Sequence, residues 1–266
     1  MDEHLVRPDA TLAYSTEGPA DAGRTAVVAH ALAVSRKWED DAAIFDWRAV
    51  TEVPARLVRF DTRGHGESTG APIAEEYRWP ALARDLLAVA DAVSPDAPVD
   101  GVGESTGCGV VLWAAHLSPG RFRRLVLAIP PTYGAARVEQ AGLYRAAASM
   151  IEVRGIESYQ RLQAVAPPPP ILREGGWTRA SDIAVPDDLL PSVLRGAAGS
   201  VLPTDDALAE IDPPTLILAW DADPSHPLTT AEHLVERLPN ASVDVARTPG
   251  DVRGWGRRAA AFLALP

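Results

Sequence analysis

The stretch Val99-Asp100-Gly101-Val102-Gly103-Glu104-Ser105-Thr106-Gly107, followed by the helical run Cys108–His116, decides how the rest of the chain is read. A short apolar run gives way here to apolar residues at three- and four-residue spacing, the change expected where a strand ends and a helix begins. Two glycines flank one serine in the pattern G-x-S-x-G. A sharp strand-to-helix turn lifts the central side chain above the sheet. Glycines at 103 and 107 remove the side chains that would collide as strand and helix close on each other. The new helix also aims backbone N–H groups and the positive end of its dipole at the space in front of Ser105. Ser105 is therefore a candidate nucleophile. A purely structural turn is the alternative reading, and the position of the motif, after the fifth strand and before a helix, argues against it.

Working outward, strands are expected near Leu5–Arg7, Thr11–Ser15, Thr25–His30, Arg56–Phe60, Val99–Gly103, Arg124–Ile129, Thr215–Trp220 and Ser242–Ala246. Pro8-Asp9-Ala10 between the first two implies an antiparallel hairpin at one edge. The later strands alternate with helical patterns at Asp40–Val53, Tyr77–Val93, Ser105–His116, Thr229–Leu238 and Gly254–Leu263, which implies a mainly parallel sheet covered by helices. Thr229 and Glu232 are spaced as a capping box. Residues 135–206 break the rhythm with helical patterns, Pro167–Pro170 and Gly175-Gly176, and carry no buried-strand signal. They read as an inserted helical lid, leaving 1–134 and 207–266 as the core.

Composition bounds the function. Acidic residues outnumber basic ones 36 to 25, a net charge of −11, which disfavours nonspecific nucleic-acid binding. No apolar run approaches the roughly 20 residues of a membrane span, and the polar, acidic start Met1-Asp2-Glu3-His4 argues against a secretory signal. A cytoplasmic protein without membrane or nucleic-acid partners is the expectation. Cys108 is the single cysteine, which excludes an intramolecular disulfide and a multi-cysteine zinc site; it reads as a small core residue. Asp221, Asp223 and His226 fall within six residues, a weak metal pattern, and neither a metal nor another cofactor is expected.

With these motifs in place, the chain resembles the α/β-hydrolase superfamily over nearly its whole length. Thr25–Leu32 (TAVVAHAL) is similar to that family's strand followed by its oxyanion loop, and Phe60–Ser68 (FDTRGHGES) to its D-x-R-G-x-G-x-S loop. The resemblance implies that the backbone N–H groups of Leu32 and Thr106 are the oxyanion donors. Ala31 stands where the family usually has glycine after the histidine, which its methyl group permits if φ stays negative. His30 and His65 are expected to pack loops, with His30 a possible accessory group. Glu104, a possible accessory residue, has room to reach the pocket or the adjoining loop.

Residues Pro214–Trp220 and the following Asp221-Ala222-Asp223-Pro224-Ser225-His226-Pro227 resemble the family's acid loop, with Trp220 in place of a usual glycine. That alignment makes Asp223 the acid and Asp221 the runner-up; either could instead cap the next helix. The family's histidine should follow the last strand, yet no histidine occurs beyond His233. Without a base, a serine hydroxyl is a poor nucleophile. Three readings compete: His226 supplies the imidazole from the acid loop; the chain is a non-hydrolytic or catalytically silent member that binds a ligand; or Asp251, at the place of the missing histidine, acts as an unusual base. The leading expectation is a serine hydrolase of a small ester, lactone, thioester or related acyl compound, with Tyr144, Met150, Tyr159 and Trp177 as candidate lining residues of the lid.

Overall fold

The computed structural model describes residues 2–19, 21–53, 55–177 and 183–265. The strands are β1 (Asp2–Arg7), β2 (Ala10–Glu17), β3 (Thr25–Ala29), β4 (Arg56–Phe60), β5 (Val99–Glu104), β6 (Phe122–Ala128), β7 (Thr215–Trp220) and β8 (Ala241–Ala246). They form one eight-stranded sheet in the order β1-β2-β4-β3-β5-β6-β7-β8. β1 and β2 form the antiparallel hairpin, β2 pairs antiparallel with β4, and every later pairing is parallel. All eight expected strands are present.

The helices are α1 (Arg36–Ala42), α2 (Trp79–Val93), α3 (Thr106–Leu117), α4 (Gly134–Arg154), α5 (Ile156–Val165), α6 (Pro170–Glu174), α7 (Leu190–Ala198), α8 (Asp205–Ala209), α9 (Leu228–Arg237), α10 (Pro249–Arg253) and α11 (Trp255–Leu263). Two sequence expectations are corrected. Asp40–Val53 is not one helix: α1 stops at Ala43, which takes the left-handed conformation (φ 49°), and a separate 3-10 turn covers Trp47–Glu52. Thr229 and Glu232 form no capping box, because α9 starts one residue earlier with Pro227 at its N-cap. The box occurs instead at Thr248 and Asp251, at the start of α10.

Side chains alternate across the strands, and this divides the core into two layers. On β7, Leu216, Leu218 and Trp220 pack with Trp47, Trp255 and Leu263, whereas Ile217 and Ala219 pack with α2, α3 and α9 through Leu86, Leu112 and Leu234. Between β6 and β7 the described residues contain helices and no strand. These helices share an apolar cluster of their own, in which Ile151, Tyr159, Leu190 and Leu194 close over Tyr77. Among the described residues no helix is long and apolar enough to cross a membrane.

The strand order fixes where a site can form. The chain runs from β3 to β4 on one side, then crosses back to β5 on the other. The carboxyl ends of β3 and β5 therefore flank a switch point, where open α/β sheets present their crevice. The loop after β4 braces it. Asp61 accepts hydrogen bonds from Arg36 N (2.8 Å) and Glu67 N (3.0 Å) and pairs with the Arg36 guanidinium, tying that loop to the start of α1. Gly66 has φ 54°, and a Cβ there would lie 2.4 Å from Asp61 Oδ2, which explains its glycine.

Candidate active site

β5 ends on Glu104, and α3 begins at Thr106. Ser105 between them has φ 49° and ψ −113°, a strained conformation for a residue with a side chain. A Cβ on Gly103 would meet Gly107 O at 2.5 Å, and one on Gly107 would meet Ala29 O at 2.0 Å. The two glycines let strand, helix and β3 come this close. Thr106 opens the helix, so its N–H has no acceptor within α3. Leu32 and Thr106 border one small recess together with His30 and His65. Ala31 keeps a negative φ, and the left-handed residue of that loop is Ala33 at φ 61°.

On the other side of the serine, β7 ends at Trp220 and the chain turns through Asp223-Pro224-Ser225-His226. Asp at the first position and Pro at the second suit a tight turn, which the bond from His226 N to Asp223 O (3.1 Å) closes. The Asp223 carboxylate also accepts from Ser225 N (2.9 Å), an Asx turn. The turn stacks residues 223 and 226, and His226 Nδ1 lies 2.8 Å from Asp223 Oδ2. Its other nitrogen, Nε2, lies 2.7 Å from Ser105 Oγ. An ionised carboxylate only accepts, so Nδ1 carries the proton and Nε2 is left to accept from the serine hydroxyl. The Trp220 indole adds a third bond to Asp223, 3.0 Å from Nε1 to Oδ2. Burial alone would raise the Asp223 pKa; the bonds from His226, Trp220 and Ser225 outweigh it and bring it to about 2. An imidazole held this way can take a proton from the hydroxyl while the fixed carboxylate stabilises the resulting cation.

The other candidates lie elsewhere. His30 is buried between Thr62 N, which donates to Nε2 (2.9 Å), and Ala31 O beside Nδ1 (2.7 Å), and burial lowers its pKa. His65 is pushed down to about 3, mainly by burial. Both pack loops. Asp251 sits at the α10 N-terminus, where its carboxylate accepts from Arg247 N (2.9 Å) and Thr248 N (2.8 Å), so its lone pairs cap a helix and its pKa is lowered. Asp221 is exposed and accepts from Ala222 N. Cys108 is buried, with its thiol near Gly103 O and Ala128 O.

A cleft of about 800 Å³, counted to its open mouth, adjoins His226 and Asp223. Its walls are largely apolar and include four aromatic rings, Trp38, Phe45, Trp177 and Trp220. Of the aromatic and methionine residues expected to line it, Trp177 does; its indole donates to Ala43 O (3.2 Å), and the Arg253 guanidinium lies 4.6 Å from its ring centre. Tyr144, Met150 and Tyr159 do not border it. Tyr159 is buried in the helical cluster, with Tyr144 against it.

Sequence reading missed the partner of one residue of the cleft. Glu104, which borders it, is buried, accepts from the Trp47 indole and hydrogen-bonds the buried carboxyl of Glu39 on α1. Burial raises the Glu104 pKa to about 7, and burial together with the charge of Glu104 raises that of Glu39, so the pair shares a proton. A carboxyl whose folded pKa is raised binds protons that the unfolded chain has released, so its effect on stability worsens with rising pH. The stability of the native protein relative to Glu104→Gln should therefore fall by about 1–3 kcal/mol between about pH 5 and about pH 7.5, read from urea unfolding midpoints. A pH-independent difference would contradict the shared-proton description.

A family model described as the alpha/beta hydrolase fold matches residues 49–151. The chain has the α/β-hydrolase fold. The matched stretch contains Ser105 and stops before Asp223 and His226. Solved α/β-hydrolase structures align over the whole chain. A hydrolase from Pseudomonas aeruginosa PA01 is 21% identical over 99% of this chain and 98% of its own, with a TM-score of 0.78. The enol-lactonase from Burkholderia xenovorans LB400 is 16% identical over 99% and 100%, also at 0.78. The bottromycin epimerase BotH, solved in complex with bottromycin A2, is 22% identical over 99% of both chains at 0.72. At these identities the likeness is one of fold.

Proposed function

We propose that this chain is a serine hydrolase of a small ester, lactone, thioester or related acyl compound. The observation that carries the reading is the continuous line from Ser105 Oγ through His226 Nε2 and Nδ1 to Asp223 Oδ2, with steps of 2.7 and 2.8 Å. Ser105 attacks the acyl carbon as its proton passes to His226 Nε2, and Asp223 stabilises the imidazolium. The Leu32 and Thr106 N–H groups receive the carbonyl oxygen as it becomes negative. His226 then protonates the leaving group, and a water deprotonated by the same nitrogen releases the acid and regenerates the serine. Residues 135–206 act as the lid over the core of 1–134 and 207–266, and Trp177 and Leu172 shape the acyl site from that side.

The motive for the non-hydrolytic reading is the missing histidine after the last strand, and an imidazole 2.7 Å from Ser105 supports the hydrolase reading instead. An epimerase among proteins of like fold is a reminder that fold does not dictate chemistry. The test is turnover of a panel of 4-nitrophenyl acetate and butyrate, a γ-lactone and an acyl thioester. We expect hydrolysis of at least one, and at least a ~10⁴-fold loss of kcat/KM in Ser105→Ala. No turnover across the panel, or turnover that survives in Ser105→Ala, would overturn the reading.

A further inference from the structure

Among the described residues, Glu104 is the one ionisable residue bordering the cleft that the serine–histidine–aspartate line does not use. A buried carboxylate bordering an apolar cleft is costly unless something recognises it. Its neighbours satisfy it only in part. One oxygen accepts from the Trp47 indole, and Glu39 supplies a shared proton. A carboxylate has about four lone-pair positions, so two remain. Arg59, whose charge acts on it, turns its guanidinium to Asp40 (2.6 Å) and Glu17 (2.9 Å). Glu39 Oε1 is itself buried without a hydrogen-bond partner among the described residues. Asp223, the other carboxylate of the cleft, already accepts from three donors.

We propose that Glu104, backed by Glu39, is a specificity group that accepts a hydrogen bond from a hydroxyl on the substrate, so that the preferred substrates are acyl compounds with a hydroxyl on an aromatic or other apolar body. A hydroxyl suits a pair that shares one proton, because it donates to a carboxylate and accepts from a carboxylic acid. Trp38, Phe45, Trp177 and Trp220 supply the flat walls for the body. A pocket that ignored the hydroxyl would leave the buried acid unpaired in every complex, and this is what makes discrimination between hydroxy and deoxy substrates large.

The inference rests on the hydrolase reading, and its test separates the two. The methyl esters of phenylacetic, 3-hydroxyphenylacetic, 4-hydroxyphenylacetic and 3-(4-hydroxyphenyl)propanoic acids would be compared by kcat/KM on the native chain, Glu104→Leu and Glu104→Gln. At least one hydroxy ester should exceed its deoxy parent by roughly tenfold or more in the native chain. That ratio should fall towards one in Glu104→Leu and be partly kept in Glu104→Gln, whose amide oxygen still accepts. Ratios near one for every ester in the native chain, or a ratio that survives in Glu104→Leu, would overturn the assignment. If the native chain hydrolyses none of these esters and none of the acyl panel above, the hydrolase reading fails by itself. The same pairs are then compared as ligands through the cleft tryptophan fluorescence, where equal binding of hydroxy and deoxy compounds overturns the role of Glu104. If Glu104→Leu does not fold, the native-chain ratios alone decide.

Discussion

Replacing His226 with alanine is expected to lower kcat by about 10⁴-fold or more while KM changes only a few-fold. The serine hydroxyl loses the sole acceptor drawn towards its proton, Nε2 at 2.7 Å, and an unassisted hydroxyl is a weak nucleophile near neutral pH. Among the described residues no other imidazole reaches the serine hydroxyl. His30 is locked between Thr62 N and Ala31 O, and burial disfavours its charged form. Asp251→Ala supplies the contrast: it removes a helix cap and should lower stability with turnover retained. Steady-state kinetics on any ester the native chain turns over checks both. If Asp251→Ala instead abolished turnover and His226→Ala kept it, the base would have to be reassigned.

Gly107→Ala should be among the most damaging single-methyl additions in the chain. The new Cβ would lie 2.0 Å from Ala29 O and 3.0 Å from His30 O, so backbone must move. Either α3 lifts off β3 or the loop after β3 is pushed aside. Both displace Thr106 relative to Leu32, so activity and stability fall together. A loss above about 3 kcal/mol is expected in denaturant unfolding, with turnover reduced even where the protein remains folded. Gly142→Ala provides the opposite sign. That glycine lies inside α4 with nothing within 4 Å of an added Cβ, so alanine should be neutral or stabilise by about 0.5–1 kcal/mol. Equal effects at the two positions would mean that close approach at the Ser105 turn is not what Gly107 provides.

Much of this arrangement is written in local sequence, because it depends on local physics. The apolar runs of β3 to β7 are short, buried on both faces and separated by helical periods, so sheet and strand order follow. The serine turn is legible because backbone crowding demands glycine at 103 and 107. The link between Asp223 and His226 is legible in hindsight from Asp-Pro-Ser-His: an aspartate and a proline opening a tight turn bring its first and fourth side chains together. Other features have no local signal. The end of α1 is an alanine in a left-handed conformation, where a glycine would have announced the break. Glu39 and Glu104 are 65 positions apart in the sequence and meet only because α1 packs beside the end of β5. Tyr144 and Tyr159 looked like pocket residues because aromatic side chains suit both pockets and helix packing, and here packing took them. Trp220 looked like a departure from a pattern, yet its indole holds the carboxylate that holds the imidazole.

The most direct test of the central claim, that His226 in the acid loop activates Ser105, is intact-mass analysis after incubation with a fluorophosphonate. The probe bonds covalently to an activated serine and requires no knowledge of the substrate. The account predicts one adduct on the native chain, none on Ser105→Ala, and labelling slowed by orders of magnitude on His226→Ala. Labelling of His226→Ala at the native rate, or an unlabelled native chain, would contradict it.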